Sequence, residues 1–188
     1  MNFAELKELI LADYNRYHHI RGGILHVYIS NIEFQIIFWF RVLSYLKSIK
    51  LGQILYIILK LPYEYITHIL SVSLPIGTTI GGGLSFPHHG FNIVLNQTIT
   101  IGNNCTIMQG VTIGSSKNNN NGIPTIGNNV IICAGAIIIG NVKIGDYSVI
   151  GAGSVVVHDV PAGAVVAGNP AKIISHKGRE ISTGYIKI

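Results

Sequence analysis

The stretch IGNNVIICAGAIIIGNVKIGDYSVIGAGSVVV, Ile126 to Val157, decides the fold, because every sixth residue in it is a large aliphatic. Ile126, Ile132, Ile138, Ile144, Ile150 and Val156 are in phase, and small or β-branched residues recur four places on, at Val130, Ala136, Val142, Ser148 and Ser154. An amphipathic helix repeats near 3.6 residues and a half-buried strand at two, so neither accounts for a strict step of six. A six-residue unit used three times makes one triangular coil of a parallel β-helix, with the aliphatic side chain stacking inside on its counterpart in the next coil. Glycine follows several phase residues, as at Gly127, Gly145 and Gly151, where it is expected to ease the corners.

The phase extends backwards through Leu95, Ile101, Ile107 and Ile113, and before them Leu74, Ile80 and Phe86. An alternating β-sandwich would place turn signals at wider intervals and keep no fixed phase. Two steps are irregular. From Ile113 to Ile126 the step is thirteen rather than twelve, and it contains SSKNNNNGIP, a polar, turn-rich loop expected to be exposed and mobile. From Phe86 to Leu95 the step is nine rather than six, and it contains FPHHGFNIVLN, with adjacent histidines. Residues inserted at a phase break must bulge from the prism.

From about residue 2 to residue 70 the apolar residues fall at mixed spacings of three and four, as in Leu6, Leu9, Ile10 and Tyr14, which predicts three or four helices punctuated at Gly22-Gly23, Gly52 and Pro62. The most apolar part of this segment is interrupted by Arg41, Lys47, Lys50 and Lys60 before it reaches the roughly eighteen residues a membrane span needs. Lying against a membrane surface or a partner subunit is compatible with such helices. The 188 residues suffice for one working unit.

The formal charge is +5, with scattered basic residues and no interleaving with aromatics, which argues against a nucleic-acid partner. Cys105 and Cys133 lie inside repeat segments without metal-ligand spacing and read as buried free thiols, compatible with a cytoplasmic protein. The start, MNFAELKELI, has acidic residues where a secretory signal would be basic.

The hexapeptide phase, the segment IMQGVTIG and the ending GAGSVVVHDVPAGAVVAGNPAKII resemble the hexapeptide-repeat acyltransferases, in the branch similar to serine O-acetyltransferase. Within that branch FPHHGFNIVLNQTI is similar to the small colanic-acid and capsule acetyltransferases. The resemblance implies a left-handed parallel β-helix over 71–174, an α-helical segment over 1–70 before it and a C-terminal tail over 175–188. It implies acetyl-CoA as cosubstrate, no metal, and direct transfer with His89 as general base, the neighbouring His88 orienting it or meeting the acceptor. An imidazole with an ordinary pKa of about 6.5 is largely neutral at cytosolic pH and still basic enough for this. By the same resemblance, Gly114 and Ser115 line the reactive end of coenzyme A, Ala134 and Ala152 its pantetheine arm, and Lys172 its phosphate end. Backbone amides near Gly90-Phe91 would meet the oxyanion. The family lays coenzyme A between two prisms, which implies a homotrimer with shared active sites.

The sequence departs from the serine-specific pattern. Where those members place acidic residues, directly before the catalytic histidine and upstream of it, this chain has His88 and Ser73, and a later family histidine gives way to Gly122-Ile123-Pro124. No Asp or Glu occurs between Tyr65 and Gly145, so the partner that orients His89 must be a backbone carbonyl, a neutral side chain, or a distant residue such as Glu64 or Glu33. An amino-acid acceptor wants a carboxylate for its ammonium group. The expectation is therefore acetylation of a sugar hydroxyl in capsule, exopolysaccharide or lipopolysaccharide assembly, in the cytoplasm or at the inner face of a membrane. The alternative is serine acetylation, with Ile188 suited to docking into a cysteine-synthase partner. A non-catalytic scaffold, or a metal binder using His68, His88 and His89, is the third reading.

Overall fold

The phase residues line the inside of a three-sided prism in the computed structural model, which describes residues 1–17, 23–116 and 122–186. One face holds β2 (Val94–Leu95), β5 (Thr112–Gly114), β8 (Ile137–Ile139) and β11 (Val155–Val156). The second holds β1 (Thr79–Ile80), β3 (Thr100–Ile101), β6 (Thr125–Ile126) and β9 (Lys143–Ile144). The third holds β4 (Thr106–Ile107), β7 (Ile131–Ile132), β10 (Val149–Ile150), β12 (Val165–Gly168) and β13 (Ala171–Ser175). Pairing between coils is parallel, and only β12 and β13 run antiparallel. The prism is a left-handed parallel β-helix, as the sequence implied.

Stacking in register explains the period. Ile101 pairs with Ile126, Ile107 with Ile132 and Ile113 with Ile138, so each aliphatic packs on its equivalent one coil away. Every phase residue from Leu74 to Val156 is 6% exposed or less. Full burial of one such side chain contributes about 1.5–3 kcal/mol, and the stack repeats that gain in each coil.

The glycines after the phase residues have a different reason from the one expected. A Cβ on Gly102 would lie 2.6 Å from the carbonyl oxygen of Gly127, so glycine is needed there for the close approach of the next coil, while left-handed backbone occurs at other positions such as Gly110 and Gly135. At the corner between the second and third faces, side chains complete the stacking. Asn103 Oδ1 accepts from Gly82 N, Asn128 Oδ1 from Asn103 N and Asp146 Oδ1 from Asn128 N, at 2.7–3.0 Å.

The N-terminal segment forms α1 (Phe3–Tyr14), α2 (Ile24–Ser30), α3 (Ile32–Ser48) and α4 (Gln53–Ile69). Asn2 and Glu5 cap α1 reciprocally, and Asn31 caps α3. Pro62 does not end a helix, as the sequence suggested. It sits inside α4 on the exposed side, and having no N–H it withholds the usual intrahelical donor from the Ile58 carbonyl.

Polar side chains join the helices to the first coil. Arg41 is buried, pairs with buried Asp13 at 2.9 Å, and donates to the carbonyls of Ile80 and Gly81 at 2.6 Å. Asp13 also accepts from Leu84 N, Tyr63 donates to Leu74 O, Lys47 to Ile76 O, and Arg16 to Gly83 O and Asn104 O. Apart from Asn104 O, which lies one coil further on, these donors meet carbonyls of the first coil, which has no coil above it, and backbone groups buried without partners would cost free energy. At the other end of the chain, the segment expected as a tail contains α5 (Gly178–Ile186), which covers the third face over Ile131, Val149 and Val165. Gly178 N donates to Gly163 O at 2.9 Å, and the Ser182 hydroxyl donates to Asn129 O.

Candidate active site

The nine-residue step from Phe86 to Leu95 is taken up by a 3-10 turn, Pro87–Gly90, at the corner between the third and first faces. Proline at its start fixes φ for the turn. Gly90 has φ +60°, and a Cβ there would meet Phe86 Cβ at 3.0 Å, so glycine alone lets the chain fold back over the buried Phe86 ring. His88 also adopts a left-handed φ, +59°, and is exposed. Left-handed backbone at a non-glycine residue costs free energy and persists where the surroundings impose it, often at functional sites. His89 belongs to the same turn, but its side chain lies outside the described residues.

Below this turn the corner repeats coil by coil. Gly110 N donates to Phe91 O, Gly135 N to Gln109 O and Gly153 N to Ala134 O, each at 2.9 Å. Phe91, Gln109, Ala134 and Ala152 are thus equivalent positions along one edge. The edge continues into the last strands, since Gly151 N donates to Val166 O and Ala167 pairs with Lys172. The structure therefore aligns His88, Ala134, Ala152 and Lys172 along one side of the prism, over five strand steps of about 4.8 Å each, or roughly 24 Å. Nothing lies within 4 Å of a Cβ added to Gly153, so the edge is open to an extended ligand that approaches the backbone.

Gly114 and Ser115 are not on that edge. Gly114 ends β5, and Gly140 N donates to its carbonyl, which places both residues at the far side of the first face. Four residues of extended chain separate Gly114 from Gly110, about 13 Å. A single chain does not bring the two groups together.

Sequence reading missed Gln109. Its Oε1 is buried without a hydrogen-bond partner, although equivalent corners carry alanine. A buried amide oxygen without a donor costs about 1–3 kcal/mol, so this atom is suited to a donor on a bound molecule. The signal was present: Gln109 is a polar residue in a column otherwise filled by small or apolar ones.

A cavity of about 460 Å³ lies between α4 and the first coil, and Lys60, Glu64, His68, Ser73 and Gln97 line it. It answers part of the question posed by the missing carboxylates. Glu64 reaches the same cleft as Ser73 and pairs with Lys60 at 3.2 Å, whereas Glu33 is buried on α3. Among the described residues no three His, Cys, Asp or Glu side chains are grouped as a metal site requires. Burial pushes the Cys105 thiol up to about 11, which keeps it protonated and unreactive. Cys133 is half-buried in the cluster that includes Tyr185 of α5, and burial raises its pKa too.

Comparison with known proteins agrees with this architecture. The family described as bacterial transferase hexapeptide (six repeats) matches residues 123–158. Serine acetyltransferase of Bacillus subtilis (strain 168) is 42% identical over 106 residues, which are 56% of this chain and 48% of that protein. Soybean serine acetyltransferase complexed with serine superposes with a TM-score of 0.75 at 31% identity, covering 91% of this chain and 70% of that one. A serine acetyltransferase in complex with CoA gives 0.73 at 30% identity, covering 92% and 71%. The chain belongs to the hexapeptide-repeat acyltransferase family. It spans about half the length of the curated relatives it matches.

These relatives correct the expected acceptor. Relatives at 42–44% identity are serine acetyltransferases, which favours serine over a sugar. The sugar assignment rested on the empty span between Tyr65 and Gly145, which was counted along the chain and not through space. No helix is long and apolar enough to cross a membrane among the described residues. Ile188, weighed for docking to a partner enzyme, lies outside them.

Proposed function

We propose that this chain transfers the acetyl group of acetyl-CoA to the hydroxyl of serine. The single observation that carries the reading is likeness to serine acetyltransferases across helices and prism together, at 30–31% identity over more than nine-tenths of the chain, in proteins solved with CoA and with serine. The open, small-residue edge beginning at the histidine turn supports it.

In this reading His89 removes the proton of the serine hydroxyl as its oxygen attacks the thioester carbonyl. Donors near Gly90-Phe91 meet the oxyanion of the tetrahedral intermediate. The intermediate collapses with cleavage of the carbon–sulfur bond, and the imidazolium returns its proton to the leaving thiolate. His88 helps to position the base or the acceptor, and Gln109 accepts a hydrogen bond from the bound reactants. Ala134 and Ala152 give the pantetheine arm access to the backbone, and Lys172 meets the phosphates. Glu64, whose cleft includes Gln97 on the Ser115 side of the first face, supplies the negative charge for the ammonium group of serine from a neighbouring copy.

Gly114 and Ser115 join the site from a neighbouring copy, in a homotrimer whose active sites lie between chains. This resolves their separation from the histidine edge within one chain.

The test is release of free CoA thiol from acetyl-CoA with L-serine. His89→Ala should lower kcat by about 10²–10⁴-fold, the usual worth of a general base. Glu64→Gln should raise KM for serine, and Lys172→Ala KM for acetyl-CoA, each with smaller effects on kcat. Mixing His89→Ala with Gly114→Trp, both inactive alone, should restore activity if sites are shared. Absence of serine-dependent release by the wild type would reject the reading.

A further inference from the structure

A surface helix ordinarily turns its charged residues to open water. Helix α4 turns them to a cavity instead. Tyr56, Lys60, Tyr63, Glu64, Thr67 and His68, at steps of three and four, line the space between this helix and the first coil. Two of these groups are satisfied inside the protein, since the Tyr63 hydroxyl donates to Leu74 O and the Thr67 hydroxyl to Tyr63 O, each at 3.0 Å. Lys60 and Glu64 pair with each other across one helical turn, at 3.2 Å, and both stay partly exposed. The cavity volume, about 460 Å³, lies within the range of small-molecule sites.

The opposite wall carries no charge. From Ser71 to Ser116 the chain has no Lys, Arg, Asp or Glu, so the first coil meets the cavity with Ser73, Gln97 and apolar residues. A charged ligand there must draw its counter-charges from the helices, and the helices supply both signs. Lys60 and Glu64 come from α4, and Lys47 of α3 adds a second ammonium group, which also donates to Ile76 O at 3.2 Å. A cation and an anion 3.2 Å apart suit a ligand whose own two charges are as close. The ammonium and carboxylate of an α-amino acid, carried on one carbon, meet that description. The resting pair opens readily, because an exposed ion pair one helical turn long contributes little. Two charge-assisted contacts replace it when a zwitterion enters, whereas a ligand with one charge would satisfy one partner and strand the other.

We infer that the α4 cleft reads the whole head group of an α-amino acid, with Lys60 meeting the carboxylate and Glu64 the ammonium. The hydroxyl-bearing side chain then projects from the mouth of the cleft towards the histidine turn of a neighbouring copy. Lys60 is thereby a specificity-determining residue for the acceptor. The identity of the ligand as serine rests on the proposed function, and the pairing of charges rests on the cleft.

The test compares three acceptors for acetyl-CoA: L-serine, L-serinamide, which lacks the carboxylate, and 3-hydroxypropionate, which lacks the ammonium group. In the wild type kcat/KM should favour L-serine over either analogue by about 10–100-fold, the usual worth of a hydrogen bond to a charged group. Lys60→Met should lower kcat/KM for L-serine by a similar factor and for L-serinamide by much less, so that the preference between them collapses. A residue that merely shapes the helix would lower both alike. An unchanged preference in Lys60→Met, or a wild type that uses 3-hydroxypropionate as well as L-serine, would overturn the inference and leave serine acetylation standing. Saturation-transfer NMR with L-serine reads the cleft without turnover. Binding that Lys60→Met abolishes, in a wild type that transfers no acetyl group, would support the inference and reject the reaction. Binding unchanged by Lys60→Met would overturn the inference, and absence of both binding and transfer would reject the two together.

Discussion

The prism and the helical segment both draw on apolar sequence and treat it in opposite ways. From Leu74 to Val156 every phase residue is 6% exposed or less, whereas α4 leaves Ile54 76% and Leu61 67% exposed. A coil surrounds its own interior and stacks on the next, so the phase residue and the small residue four places on are buried by repetition. A helix covers only the side it rests on. The two regions also differ in how they are held, since the prism coheres through aliphatic stacking while the helices meet its first coil through Arg41, Asp13, Tyr63, Lys47 and Arg16.

The sharpest way to separate the regions is Asp13→Ala. It leaves the Arg41 guanidinium buried without its counter-ion, a loss of about 3–5 kcal/mol. Hydrogen exchange should show amides of α1 and α3 losing protection while strand amides of β7 and β10 keep theirs. Equal loss in both would mean that helices and prism open as one unit. Ile132→Ala should cost about 3 kcal/mol, because the stacked coils cannot collapse around the cavity, and urea denaturation should show it as a lower midpoint. Tyr63→Phe leaves the buried Leu74 carbonyl without its donor and should cost about 1–2 kcal/mol, with the greatest change at the junction.

The smallest effect is on pH dependence. Burial raises the Cys105 thiol from about 9 to about 11, so as pH rises above 9 the unfolded chain loses this proton before the folded one does. The contribution is fully present below pH 9 and is lost as pH rises towards the folded value, with a slope near 1.4 kcal/mol per pH unit. Urea midpoints between pH 9 and 10 should fall in the wild type and fall less in Cys105→Ala. Tyr17 and Tyr63, also raised by burial, act in the same direction only above their ordinary value of 10.

The prism was legible because each of Ile126, Ile132, Ile138 and Ile144 makes the same contact, and repetition turns a local preference into a pattern. The histidine turn was legible as a break in it. The C-terminal helix was not read, although a signal existed: outward positions on the third face are Ile131, Val149 and Val165, while those on the second are Thr79, Thr100, Thr125 and Lys143. The first face also turns Val94, Ile137 and Val155 outwards, so apolar outward residues announce that a face is covered without saying by what. The acceptor was misread for a related reason. Glu64 enters a cleft with Ser73 and Gln97 through the packing of α4 on the first coil, and no pattern along the chain records that contact.

A stack of identical coils has no natural length, since each new layer offers the next the same hydrogen-bonding edge. Here growth is stopped at the first coil, where Arg41, Tyr63 and Lys47 occupy the carbonyls of Ile80, Leu74 and Ile76 that another layer would otherwise use. The helical segment thus limits the molecule as well as decorating it, and a chain stripped of its first 70 residues should assemble end to end into filaments.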